Sequence, residues 1–211
     1  MNICIINPNS DLATHERIEG VAKKLEQPGD RFDTVSMTRP PKLIRNADDQ
    51  LVAGAEMREY ILAHEGEYDA FIIACHGDPE LAAMKLITSK IVVGMAEASL
   101  KLATFEGYDF GVISPSERSG LNKARLCLAY GVERSFHSFR ASKSDEAEDV
   151  LEAGRKLVEE DFCDAIVFGC ANYAGLDALL EKELGVPVYD GVAAGVLMAK
   201  LLQQYHTYKT G

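Results

Sequence analysis

The stretch Tyr68-Asp69-Ala70-Phe71-Ile72-Ile73-Ala74-Cys75 decides the fold of this chain, because it occurs twice. It aligns without gaps on Cys163-Asp164-Ala165-Ile166-Val167-Phe168-Gly169-Cys170. Each copy is a short apolar run closed by a polar turn, the pattern of a strand buried on both faces. The likeness extends outward in both directions. Val93-Gly94-Met95-Ala96 echoes Asp190-Gly191-Val192-Ala193, and residues 3–7 echo residues 110–114. A repeat of about half the chain is far too long for a solenoid period. It predicts two similar lobes, residues 1–106 and 107–211, meeting near Glu106-Gly107, with the C-terminal helix free to pack back on the first lobe.

Short apolar runs alternate with amphipathic stretches along the whole chain. Residues 3–7, 32–37, 70–74, 91–93, 110–113, 133–139, 165–168 and 186–189 read as strands. Residues 12–25, 48–64, 81–86, 97–103, 119–130, 145–160, 176–184 and 192–203 read as helices, with Ser10 the expected N-cap of the first. Strands alternating with helices call for parallel sheets covered on both faces. The expected fold is α/β: two pseudosymmetric lobes, each a parallel sheet flanked by helices, with the active site in the cleft between them.

Composition removes several function classes. The 211 residues are 47% apolar and 26% charged, which excludes disorder. No apolar run approaches the ~20 residues of a membrane span, and Met1 leads into a strand-like segment without a signal peptide, so the cytoplasm is the expected compartment. Lys and Arg number 22 against 33 Asp and Glu, a formal charge of −11 that argues against nucleic acid or an anionic membrane as partner. Five cysteines, an odd number, read as free thiols under reducing conditions. No Cys/His spacing fits zinc, and no glycine-rich dinucleotide or phosphate loop occurs, so neither metal nor nucleotide is expected.

In open parallel sheets, ligands bind beyond the carboxyl ends of the strands. Asn7-Pro8-Asn9-Ser10, Cys75-His76-Gly77-Asp78, Ser114-Pro115-Ser116 and Cys170-Ala171-Asn172 occupy those ends. Under the repeat, Asn7 corresponds to Ser114 and Cys75 to Cys170, whereas Cys4, Cys127 and Cys163 read as core thiols. One cysteine on each wall of a shared cleft is what moving a proton from one face of a carbon to the other requires. A thiol of pKa ~8.5 needs only a modest shift to serve in either state, and a helix N-terminus behind it would favour the thiolate. Backbone N–H groups and Asn or Ser side chains would hold the carbonyl or carboxylate that takes up the carbanion charge. A non-catalytic reading stands beside this one: a protein that binds anions, with cysteines that only pack its cleft.

Ile6-Asn7-Pro8-Asn9-Ser10, Ala74-Cys75-His76-Gly77-Asp78-Pro79, Phe168-Gly169-Cys170-Ala171 and Val188-Tyr189-Asp190-Gly191-Val192-Ala193-Ala194 resemble the aspartate/glutamate/hydantoin racemase superfamily, and look most like its hydantoin and allantoin racemases. The resemblance covers nearly the whole chain. It implies a cofactor-independent racemase or epimerase of a small amino acid or hydantoin-type substrate, working without metal or coenzyme. It assigns Cys75 and Cys170 as opposing acid and base, and Asn7, Ser10, His76, Ser114 and Asn172 as substrate-holding groups. The implied partner is a small anionic or cyclic amide molecule, and assembly as a homo-oligomer is left open. Arg118 matches a position often occupied by Arg in the hydantoin branch. His76 stands where Phe is usual, Ser114-Pro115 where a Thr pair is common, and Leu43-Ile44-Arg45-Asn46 replaces a Ser-Ile-Glu-Gly segment. The superfamily also contains a malonate decarboxylase and a maleate isomerase, which are the alternative reactions of the same fold.

Overall fold

The computed structural model describes residues 1–210; residue 211, the last of the second expected lobe, lies outside the described residues. The first half contains β1 (Asn2–Asn7), α1 (Leu12–Leu25), β2 (Arg31–Ser36), α2 (Ala47–His64), β3 (Ala70–Ile73), α3 (Leu81–Ile87), β4 (Ile91–Gly94) and α4 (Met95–Phe105). The second contains β5 (Phe110–Ser114), α5 (Glu117–Tyr130), β6 (Phe136–Ala141), α6 (Ala147–Glu159), β7 (Ala165–Phe168), a 3-10 turn (Ala171–Tyr173), α7 (Asp177–Leu184), β8 (Val188–Tyr189) and α8 (Gly191–Thr210).

The strands form two four-stranded parallel sheets with the same order, β2-β1-β3-β4 and β6-β5-β7-β8. Both are flanked by helices, so the chain is α/β with two pseudosymmetric sheets. The duplication reaches individual hydrogen bonds. Ala74 N–H donates to the Ile6 carbonyl at 2.8 Å, and Gly169 N–H to the Ile113 carbonyl at 2.7 Å. Met37 N–H donates to Asn7 and Ser142 N–H to Ser114, both at 2.9 Å. Ile, Val and Phe fill β3 and β7, and every residue of these two strands is buried. That is the expected composition for a parallel sheet covered on both faces.

The last helix of each half packs on the other half's sheet. Ala96, Leu100 and Ala103 of α4 are buried with Phe110, Val112, Val167 and Tyr189. Val192, Val196 and Ala199 of α8 are buried with Ile3, Ile5 and Ile72. Burial of a large aliphatic side chain contributes roughly 1.5–3 kcal/mol, so this exchange welds the two sheets together. It also explains two glycines. A Cβ on Gly191 would lie 2.6 Å from Met95 Cε, and one on Gly195 would lie 2.9 Å from Ile72 Cγ2.

Three local expectations are corrected. The N-cap of α1 is Asp11 rather than Ser10: its carboxylate accepts Thr14 N–H at 2.9 Å, a stronger cap than a hydroxyl. The strand expected over 133–139 starts only at Phe136, because Ser135 N–H turns back to the Val132 carbonyl at 3.1 Å. The last helix extends to Thr210 rather than 203, since no Gly or Pro interrupts residues 196–210. Among the described residues no His/Cys/Asp/Glu group is arranged to hold a metal, and no helix is long and apolar enough to cross a membrane.

Candidate active site

A cavity of about 820 Å³ opens where β1, β3, β5 and β7 end. The first half lines it with Asn9, Thr14, the segment 42–47, Cys75 and His76; the second half adds Arg118, Lys123, Cys170 and Asn172. Cys75 lies two residues beyond the end of β3, and Cys170 two residues beyond the end of β7. Each is half-buried on the cavity wall. The repeat thus brings the two matched cysteines into one cavity.

Each cysteine-bearing loop is latched by an aspartate to the N-terminus of the helix that closes its half. In the first half the aspartate belongs to the loop. Asp78 Oδ1 accepts Ala96 N–H at 3.1 Å, and its Oδ2 accepts Glu97 N–H at 2.8 Å. Asp78 and Glu80 both adopt left-handed backbone, with φ of 42° and 53°, a strain that bends the chain back toward α4. In the second half Asp190 stands at the helix: Oδ1 accepts Val192 N–H at 2.7 Å, and Oδ2 accepts Gly175 N–H from the Cys170 loop at 2.8 Å. Helix N-termini attract carboxylates, so both latches use the same force.

The Asp/Glu/Hydantoin racemase family model matches residues 3–199. The chain belongs to that family. A hydantoin racemase from a Pseudomonas species is 37% identical over 96% of this chain and 86% of its own length. One from Paenarthrobacter aurescens is 33% identical over 96% of this chain and 91% of its own. The solved structure of an allantoin racemase from Klebsiella pneumoniae superposes with a TM-score of 0.91 at 31% identity, covering 98% of this chain and 89% of that one. The chain is therefore an isomerase, a racemase.

The racemase holds its cavity thiols protonated. Burial pushes the Cys170 thiol up to about 11, opposed by the Asn172 N–H; ionisation of Cys75 would raise it further. Burial also raises Cys75, opposed by the Gly77 N–H and the Lys123 ammonium. The expectation that a helix N-terminus would favour the thiolate is corrected here: one N–H at each sulfur is outweighed by loss of solvation.

His76 is 2% exposed, and its pKa lies well below the usual histidine value through burial first and the Lys123 charge second. Its Nε2 is 3.3 Å from Ser99 Oγ, whose own hydrogen is donated to the Met95 carbonyl at 2.8 Å. The network therefore assigns the proton of a neutral ring to Nε2, which leaves the buried Nδ1 without a protein partner.

The other expected substrate-holding residues divide into two groups. Asn172 lines the cavity, but its side chain is already bonded: Oδ1 is 2.5 Å from the Thr14 hydroxyl, and Nδ2 donates to Asp145 at 2.6 Å. Arg17 donates to its carbonyl at 2.6 Å. Asn7, Ser10 and Ser114 do not line the cavity. Asn7 is fully buried and donates to Ser36 Oγ at 3.1 Å and to the Asp11 carbonyl at 3.2 Å; Ser114, also fully buried, donates to the Ser116 carbonyl at 3.1 Å. These two repeat-equivalent residues shape the loops from behind.

Asn9, part of the strand-end cluster Asn7-Pro8-Asn9-Ser10, and Leu43-Ile44-Arg45-Asn46, singled out as a departure from the family, both line the cavity; sequence reasoning missed Thr14 and Lys123. Lys123 had a readable signal. Gly120, Lys123 and Cys127 are the buried residues of α5, so a lysine stands on the apolar face of that helix. Its ammonium donates to the His76 carbonyl, the residue next to Cys75.

Proposed function

We propose that this cavity is the active site, and that Cys75 and Cys170 invert a carbon centre of a hydantoin-type or amino-acid substrate without metal or coenzyme. The observation that carries the reading is that the cysteines ending β3 and β7, equivalent under the repeat, line one cavity from its two halves. One sulfur, as thiolate, removes the proton next to the carbonyl, and the C–H electron pair moves onto the carbonyl oxygen. The thiol opposite donates its proton to the other face, and the electron pair returns to carbon. The enzyme finishes with thiol and thiolate exchanged, ready for the opposite enantiomer. Lys123, buried on the cavity wall, offsets the negative charge that passes between sulfur, substrate and sulfur. The hydantoin and allantoin racemases among the relatives support the substrate class.

In this reading residues 1–106 and 107–211 are the two lobes, and the five free thiols fit a reducing cytoplasm. Among the expected binding groups, His76 and Asn172 face the substrate, while Asn7, Ser10 and Ser114 hold the loops that carry them.

Proton exchange in D2O tests the mechanism. The unaltered enzyme should incorporate deuterium as it inverts the centre. Cys75→Ser and Cys170→Ser should each abolish inversion, and each should keep exchange with a single enantiomer. Full racemisation by the doubly substituted protein would refute the assignment. Carbon dioxide or fumarate as product would instead point to a decarboxylase or a maleate isomerase.

A further inference from the structure

The charge of the cavity opposes the charge of the chain. The whole sequence has 22 Lys and Arg against 33 Asp and Glu. Among the described residues the cavity wall carries Lys42, Arg45, Arg118, Lys123 and Arg125, against Asp11 as its single carboxylate. Asp11 is already committed, since it caps α1 through Thr14, and its pKa is held below the usual carboxylate range by those hydrogen bonds and, less strongly, by the Lys42 charge.

None of the five cations has a carboxylate within ion-pair distance among the described residues. Elsewhere the chain does pair arginines: Arg39 meets Glu59 at 2.8 Å, and Arg140 is held by Asp161. Lys123 is buried, whereas Arg45 and Arg118 are exposed, one from each half. Like charges gathered around a cavity without close ion-pair partners repel one another, and a bound anion relieves that repulsion. A guanidinium also matches a carboxylate in a two-pronged geometry.

Resting on the racemase reading of the cavity, we infer that the substrate carries an anionic group of its own: a carboxylate on the side chain of the carbon that is inverted, held by the rim cations Arg45 and Arg118. The preferred class is an acidic 5-substituted hydantoin, or the corresponding acidic amino-acid derivative, rather than a neutral one. Lys123 serves the charge that develops at the reacting centre, and the rim arginines serve the charge that is permanent.

The test compares two hydantoins of one shape, 5-(2-carboxyethyl)hydantoin and its 5-(2-carbamoylethyl) amide, as single enantiomers with the full-length protein. The acid should show a kcat/KM at least about tenfold above the amide at low salt, and the ratio should shrink at about 0.5 M salt as the rim charges are screened. Arg45→Gln and Arg118→Gln should each narrow the ratio. An amide turned over as well as the acid would overturn the inference and leave the racemase reading intact. If neither hydantoin is inverted, the hydantoin reading fails, and thiol alkylation by iodoacetamide at about pH 9 then decides the inference separately. The acid should protect Cys75 and Cys170 at roughly a tenth of the amide concentration or less; equal protection would overturn it.

Discussion

The Tyr130 hydroxyl donates to Asp78 Oδ2 at 2.7 Å, tying a helix of the second half to the loop that carries Cys75. The same carboxylate receives two N–H groups at the start of α4. Burial raises the Asp78 pKa to about 6 even against these three donors. Between its ordinary value of 3.8 and about 6, the folded chain keeps a proton that the unfolded chain has lost. Stability therefore falls as pH rises through that window, by roughly 3 kcal/mol for this group, and the loss is complete above it.

Tyr130→Phe should exploit this window. The lost hydrogen bond serves a charged acceptor at about pH 8, worth roughly 1.5–3 kcal/mol, and a neutral one at about pH 4, worth roughly 1. Urea unfolding at the two pH values should show the variant's deficit grow with pH. An equal deficit at both would mean that Asp78 does not titrate there.

Both cavity thiols are protonated at neutral pH, because Cys170 sits at about 11 and Cys75 is also raised. The thiolate fraction increases about tenfold for each pH unit below the thiol pKa. The kcat/KM of the free enzyme should climb steadily from neutral pH toward about pH 10, and alkylation of Cys75 and Cys170 should climb with it. A rate that levels off near neutrality would contradict this.

Lys123→Met removes the buried positive charge that favours thiolate at both cysteines. The alkaline rise in kcat/KM should move to higher pH, which lowers the rate at any pH on the slope. Unfolding in urea at about pH 8 should show no loss of stability, since burying the lysine charge is itself costly. A uniformly lower rate with an unshifted pH profile would make Lys123 only a prop for the His76 carbonyl.

Gly169→Ala should be more damaging than its small size suggests. The added Cβ would lie 2.5 Å from the Ile113 carbonyl oxygen, a backbone atom fixed in its ladder, and 2.8 Å from Val112 Cγ1. Such overpacking costs about 1–3 kcal/mol, and it displaces the neighbouring Cys170. The thermal midpoint and kcat should both drop. The equivalent residue in the first half is already Ala74, so Ala74→Gly should cost only about 0.5–1 kcal/mol.

Local pattern carried much of this molecule. The apolar runs ending in Cys75 and Cys170 made both strands legible, because a strand buried on two faces must be apolar at successive positions. Their alignment made the two-sheet architecture legible as well. Other features have no local signature. The Asp78 latch joins residues 18 and 19 apart to their carboxylate and reaches a third group on another helix. Leu43-Ile44-Arg45-Asn46 is visible in the sequence only as a departure from the family pattern, and only the fold brings Arg45 to the same cavity as the α5 residues Arg118 and Lys123.

By itself the sequence determined the strand set, the duplication and the matched cysteines, since each follows from the order of apolar and polar residues along the chain. Only the tertiary structure decided that α4 and α8 exchange sheets, that Asn7 and Ser114 stand behind the cavity wall, and that Lys123 stands in it. Those outcomes depend on which buried faces meet across long stretches of chain, and on how far burial outweighs a hydrogen bond at each charged group.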